Sequence, residues 1–178
     1  MNKKSSTKKP SKRGKGKSKK IVMVSGGFDP VHIGHVRMFE EAKKLGDKLI
    51  VLLNNDNWLR LKKGYVFMPE QERKEIIEAF HVVDEVVITS HKKNTKDISI
   101  SKDLLIIRPH IFAKGGDRHV GNIPTPEVLV CGEIGCKIVN EVGFGGKVQS
   151  SSELVEKSVL AKIKRKNFLN AKHPRSGR

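Results

Sequence analysis

Acidic residues are missing from both ends of this chain. Residues 1–20 hold ten Lys/Arg and residues 157–178 hold eight, with no Asp or Glu in either stretch. The formal net charge of +17 over 178 residues therefore resides at the ends, because residues 21–156 carry eighteen Lys/Arg against all nineteen acids, a net of −1. So neutral a middle argues against a core whose main task is to grip nucleic acid. Apolar residues are almost absent from the first stretch as well. A segment of that composition cannot bury enough surface to offset its ordering entropy, so residues 1–19 are expected to be a disordered basic tail and 167–178 a second one. Such tails either keep a protein soluble or anchor it electrostatically to nucleic acid or an anionic surface.

Cysteine is also scarce. Cys131 and Cys136 are the only two, too few for a disulfide framework, and they fit reduced thiols in an intracellular, cytoplasmic protein. A Cys-x4-Cys pair with His110 and His119 upstream is poorly spaced for structural zinc, and no metal site is expected from it. No apolar run approaches the ~18–20 residues that cross a bilayer, and no apolar segment follows the N-terminal lysines as in a signal peptide. Internal repeats are missing. Gly16-Lys17-Ser18 looks like the end of a phosphate-binding P-loop, but position 11 is Ser and no strand precedes it.

What remains is an ordered alternation of strand and helix patterns over residues 20–166, the expected folded domain. Strands are expected at 20–25, 48–53, 82–89, 111–114 and 137–142, short apolar and β-branched runs of strand length. Helices are expected at 35–45, from Pro69 through Phe80, at 101–107, from Pro126 to Gly135 and at 150–166. Asn54-Asn55-Asp56-Asn57 is expected to be a loop. This alternation predicts an α/β fold with a mainly parallel sheet flanked by helices, with ligands at the carboxyl ends of the strands.

The most informative segment is Ser25-Gly26-Gly27-Phe28-Asp29-Pro30-Val31-His32-Ile33-Gly34-His35. Gly26 and Gly27 let backbone approach a ligand where a Cβ would intervene. His32 and His35 stand just before a helix, whose first N–H groups form an anion site. Two imidazoles there suit charge growing on a phosphate under attack and on departing pyrophosphate. The segment resembles the HxGH signature of the cytidylyltransferase-like nucleotidyltransferases. The resemblance covers roughly residues 20–160. It implies a single Rossmann-like domain and Mg²⁺-assisted attack on the α-phosphate of ATP or CTP by a phosphorylated small molecule, with the metal carried mainly by the nucleotide. It also implies that His32 and His35 touch phosphates, and that the protein is a homodimer.

Further matches follow in the family's order. Lys62-Lys63-Gly64 resembles a lysine stretch that meets substrate phosphates; a solvated charge run has the same composition. Glu72-Arg73 resembles the family's E-x-R helix, with Arg73 either a phosphate anchor or half of a helix-surface salt bridge. Lys114-Gly115-Gly116-Asp117-Arg118 is similar to the KGGD loop of heptose-1-phosphate adenylyltransferases, which makes Lys114, Gly116, Asp117 and Arg118 candidate nucleotide contacts; a charged turn is the rival. Ser150-Ser151-Ser152 resembles the Ser-Thr-Thr turn that closes the nucleotide site, and it also suits a helix cap. Phe28 and Asp29 complete the candidate nucleotide-binding set, with Asp29 able to reach a metal only through water. Glycerol-3-phosphate cytidylyltransferases place an Arg-Thr-Glu-Gly-Ile before the final serines and a Trp after the strand-4 Asp. This chain has Gly145-Gly146-Lys147-Val148-Gln149 and Arg118 there, which favours AMP transfer to a sugar phosphate over a cytidylyltransferase.

Overall fold

A computed structural model describes residues 19–115, 124–145 and 149–172 of the chain. Three β-branched residues among the first four positions of Ile21–Gly26 make β1, and Lys48–Leu53, with five apolar residues in succession, makes β2. The remaining strands are β3 (Glu85–Ile88), β4 (Ile111–Gly115) and β5 (Lys137–Val142). Six helices lie among the described residues: α1 (Ile33–Lys43), α2 (Asp56–Lys63), α3 (Glu70–Glu78), α4 (Ser101–Ile107), α5 (Thr125–Ile134) and α6 (Ser151–Lys172).

The sheet runs β3-β2-β1-β4-β5 with every neighbouring pair parallel. The chain winds outward from β1 to β3, then crosses to β4 on the other side of β1. Strand order therefore reverses between β1 and β4, and a crevice opens there at the carboxyl ends. Alternate strand residues serve opposite faces. Val22, Val24, Leu49, Val51 and Leu53 pack with Phe39 and Ala42 of α1 and Ile77 of α3, while Met23, Leu52 and Phe112 pack with Leu104 of α4 and Cys131 of α5. Both faces are covered, as the near-continuous apolar strands require.

Several boundaries differ from those the sequence suggests: the third strand is confined to Glu85–Ile88, the first helix spans Ile33–Lys43 and the one after Pro69 stops at Glu78. Only Asn54 and Asn55 of the expected loop precede a helix; α2 starts at Asp56, because the Asn55 Oδ1 accepts the Trp58 N–H at 2.9 Å and Gly64, with φ of 80°, ends it in a left-handed cap. The last helix continues beyond residue 166 to Lys172, and every residue from 156 to 169 is exposed.

Candidate active site

The β1–α1 connection builds the centre of the crevice. His32 is the N-cap of α1 and His35 lies one turn inside it. The His32 Nδ1 accepts the Gly34 N–H at 3.2 Å, and the His35 Nδ1 accepts the His32 N–H at 3.2 Å. This is a reciprocal cap made of imidazoles rather than hydroxyl and carboxylate. Both Nδ1 atoms are acceptors, so each ring is the Nε2–H tautomer and keeps one N–H to give to a ligand. The rings stack at a centroid distance of 3.7 Å and an angle of 22°. Gly34 is what allows this: a Cβ there would lie 3.1 Å from the His32 ring. Phe28 holds the far side of the pair, edge-on to His35 at 4.9 Å.

Burial holds both histidines neutral. The His35 pKa falls from 6.5 to about 3, mainly through desolvation, then through the neighbouring His32 and Lys63 charges. His32 is lowered by the same desolvation and by Lys63. Two uncharged N–H donors at a helix N-terminus suit an anionic oxygen, and neither adds positive charge beside Lys63.

These side chains open into a cavity of about 590 Å³. On one side it is lined by groups at or after the carboxyl ends of β4 and β5, including Lys114, Glu127, Gly143 and Ser150 to Ser152. Lys114 and Glu127 form a buried ion pair at 3.0 Å, with the ammonium 4.0 Å above the Phe112 ring. The Ser151 Oγ donates to the Pro30 carbonyl at 2.9 Å, fastening the start of α6 to the histidine loop. On the other side stand groups that follow β2 and β3, among them Asn54, Trp58, Lys62, Lys63 and Ile98. Burial lowers the Lys63 pKa and Arg73 lowers it further, with Asp29 opposing both.

The profile of the cytidylyltransferase-like family matches residues 23–175. The chain belongs to that family. Its members are nucleotidyltransferases. The chain is 33% identical over 155 residues to the FAD synthase of Ferroglobus placidus, a match spanning 86% of this chain and 97% of that protein. It is 36% identical over 153 residues to the bifunctional protein HldE of Pelobacter propionicus, spanning 85% of this chain but 28% of that much longer one. Its fold matches the crystal structure of the lipopolysaccharide core biosynthesis protein from Thermoplasma volcanium GSS1, with a TM-score of 0.55 and 27% identity over 71% of this chain and 98% of that one.

Within this family member, the expected site residues divide. Gly26, Gly27, Phe28, His32, His35, Lys63, Lys114 and the three serines all line the cavity. Gly116, Asp117 and Arg118 lie outside the described residues. Arg73, expected at a phosphate or in a surface salt bridge, is fully buried and absent from the cavity wall, and its salt bridge to Asp56 is internal rather than on the surface. Its guanidinium donates to the carbonyls of Gly27 (2.6 Å), Asn54 (2.8 Å) and Met68 (2.8 Å) and to the Asp56 carboxylate (2.6 Å). It therefore ties together the three loops that shape one side of the site. Asp29 is likewise fully buried, and its two carboxylate oxygens accept the Phe67 and Met68 N–H groups, each at 2.7 Å. It shapes the loop.

Trp58, Ile98, Ile100, Asn54 and Glu127 line the cavity without having been expected there. Trp58 was legible in principle, because Asn55 as a cap, Lys62-Lys63 and then Gly64 are helix start and stop signals. Ile98 and Glu127 carry no such signal. They reach the site from a loop after β3 and from α5, and only the crossing of the chain brings them there. Among the described residues no three His, Cys, Asp or Glu gather as a metal site, and no helix is long and apolar enough to cross a membrane.

Proposed function

We propose that the chain transfers AMP from ATP to a phosphorylated small molecule and releases pyrophosphate. A phosphate oxygen of the acceptor forms the new bond to the α-phosphorus, and the bond from that phosphorus to the bridging oxygen of the β-phosphate breaks. The observation that carries this reading is the stacked, neutral histidine pair at the start of α1, opening into a cavity with lysines on both sides. Nucleotidyl transfer needs its charge stabilised and its reactants aligned more than it needs a covalent partner. The His32 and His35 Nε2–H groups would donate to phosphate oxygens, and Lys63 would hold the acceptor or leaving phosphates. The serines at the start of α6 would cradle the nucleotide.

Mg²⁺ would enter on the triphosphate and neutralise part of its charge. The chemistry of the loop agrees, since both oxygens of Asp29 are already engaged by backbone N–H groups. AMP is preferred to CMP because one relative is a FAD synthase, whose product contains AMP, and because the arginine of the cytidylyltransferase loop is missing here. The sequence favours a sugar phosphate as acceptor; FMN, the precursor of FAD, is the alternative that this relative supports.

The test incubates the full chain with Mg²⁺, each NTP and a panel of phosphorylated acceptors, and reads pyrophosphate. Release with ATP and one acceptor, lost in His35→Ala while the fold persists, is expected. Release that is undiminished in His35→Ala refutes the assignment of the histidine pair.

A further inference from the structure

The apolar strands of the sheet turn polar at the cavity. Met23, Leu52 and Phe112 form one row on the face covered by α4 and α5. Side chains two residues apart in a strand share a face. Ser25, Asn54 and Lys114 therefore continue that face toward the carboxyl edge, and all three line the cavity. Lys114 is matched there by Glu127 of α5. Asn54 has no such match. It is 5% exposed, and its Oδ1 is one of three buried side-chain oxygens that find no hydrogen-bond partner among the described residues. The other two, on Ser101 and Asn140, do not line the cavity.

The Asn54 main chain is pinned on both sides. Its N–H donates to the Gly26 carbonyl at 2.8 Å. Its carbonyl accepts from the Arg73 Nη1 at 2.8 Å, and the same nitrogen reaches the Gly27 carbonyl at 2.6 Å. The carboxamide is thus held beside the histidine loop by bonds in which it takes no part. A buried amide without a partner costs stability, and at a cavity wall a ligand that bonds there removes the cost.

We infer that Asn54 is a specificity-determining residue for the acceptor, selecting a phosphate ester with a hydroxyl on the carbon next to the phosphate-bearing one. The inference rests on the nucleotidyl-transfer reading above and deepens it by naming the feature of the acceptor that the protein reads. An ionised phosphate has no hydrogen to offer Oδ1, and Lys62 and Lys63 on the same side already suit phosphate. A hydroxyl both gives and accepts, so it matches the carbonyl and the NH₂ of one carboxamide. An ammonium only gives, and it would stand among those lysines. Because Asn54 abuts Gly26 and Gly27, the hydroxyl it meets lies near the reacting phosphate rather than at the far end of the acceptor. The serines that would cradle the nucleotide stand on the other side of the cavity. A sugar 1-phosphate and FMN both carry this hydroxyl, whereas phosphocholine and phosphoethanolamine lack it.

Asn54→Leu is close in volume and removes the carboxamide. Calorimetry on the full chain, with Mg²⁺ and a non-hydrolysable ATP analogue, compares mannose 1-phosphate with 2-deoxyglucose 1-phosphate, and FMN with 4′-deoxy-FMN. In the wild type, loss of the hydroxyl is expected to weaken binding about tenfold in the pair that binds. In Asn54→Leu both members of that pair are expected to bind at the weaker level, with the ATP analogue within about twofold of wild type. The variant is also expected to melt about 2–4 °C higher, since an unpartnered amide leaves the core; an asparagine needed for the fold would make it melt lower. Unchanged affinity for the hydroxylated acceptor in Asn54→Leu overturns the inference, as does a lower melting temperature with both members of a pair weakened alike. Loss of ATP-analogue affinity overturns it too, and so does a wild type that binds neither mannose 1-phosphate nor FMN. Hydroxyl-dependent binding that requires Asn54, but with no pyrophosphate released from ATP with either acceptor, leaves the role of Asn54 standing and refutes the transfer reading instead.

Discussion

Replacing Arg73 separates two roles that the sequence alone leaves open. The Arg73→Met variant keeps the length of the side chain and removes its charge. Four hydrogen bonds vanish, leaving the carbonyls of Gly27, Asn54 and Met68 and the Asp56 carboxylate without that partner. Breaking a buried ion pair on one side costs about 3–5 kcal/mol. A protein of this size melts about 2–4 °C lower per kcal/mol lost, so a fall of about 10 °C is expected. That cost is a large share of a typical domain stability of about 5–15 kcal/mol, so the variant should be measured by urea titration as well as by heating. Arg73→Lys retains the charge but not the fork that reaches three loops, and should fall between the two. Circular dichroism gives the melting curve, and Trp58 emission reports the same loops from within. A melting temperature within about 2 °C of wild type, together with a raised KM for the nucleotide, would refute the structural role and restore Arg73 as a phosphate anchor.

The remaining predictions concern the histidine pair and the tails. His35→Ala is expected to lower kcat by about 10²–10³ with KM little changed, the usual loss of one preorganised donor at a developing charge; steady-state pyrophosphate release measures it. Gly34→Ala should reduce turnover while the melting temperature stays nearly unchanged, because its Cβ would lie 3.1 Å from the His32 ring and displace that ring slightly from its stack on His35. Acid should weaken the fold through His35. The unfolded chain binds a proton below about pH 6.5, whereas the folded ring takes one only near about 3. Stability is therefore fully present above pH 6.5 and is lost as pH falls toward 3, by on the order of a few kcal/mol; urea midpoints at pH 7 and pH 4.5 should show the drop, and His35→Asn should flatten it. If the basic tails anchor the protein to RNA, binding should fall steeply with salt, and filter binding at two ionic strengths would expose a salt-independent attachment that contradicts this.

The sequence by itself determined the parallel α/β fold and the histidine turn that lines the cavity. Strand and helix signals are local, and the HxGH segment is contiguous, so His32, Gly34 and His35 meet through a single helix start that no distant residue has to supply. Lys114 and the serines were legible for a related reason, since each follows a strand or opens a helix at the carboxyl edge of the sheet, where this topology collects them. Tertiary structure alone decided what the charged residues do. Arg73 and Asp29 look like surface ligands in the sequence, because a charge pattern says nothing about depth; their burial follows from the loops at Gly27, Asn54 and Met68 closing over them. Tertiary structure also made the second wall. Trp58 and Ile98 are forty residues apart and Lys114 and Glu127 thirteen, and neither pair exists until β3, β4 and the helices α2 and α5 are packed around β1 and β2. A side chain's chemistry is carried by its residue type, but its partner and its dielectric surroundings are set by chain crossings that no local pattern encodes.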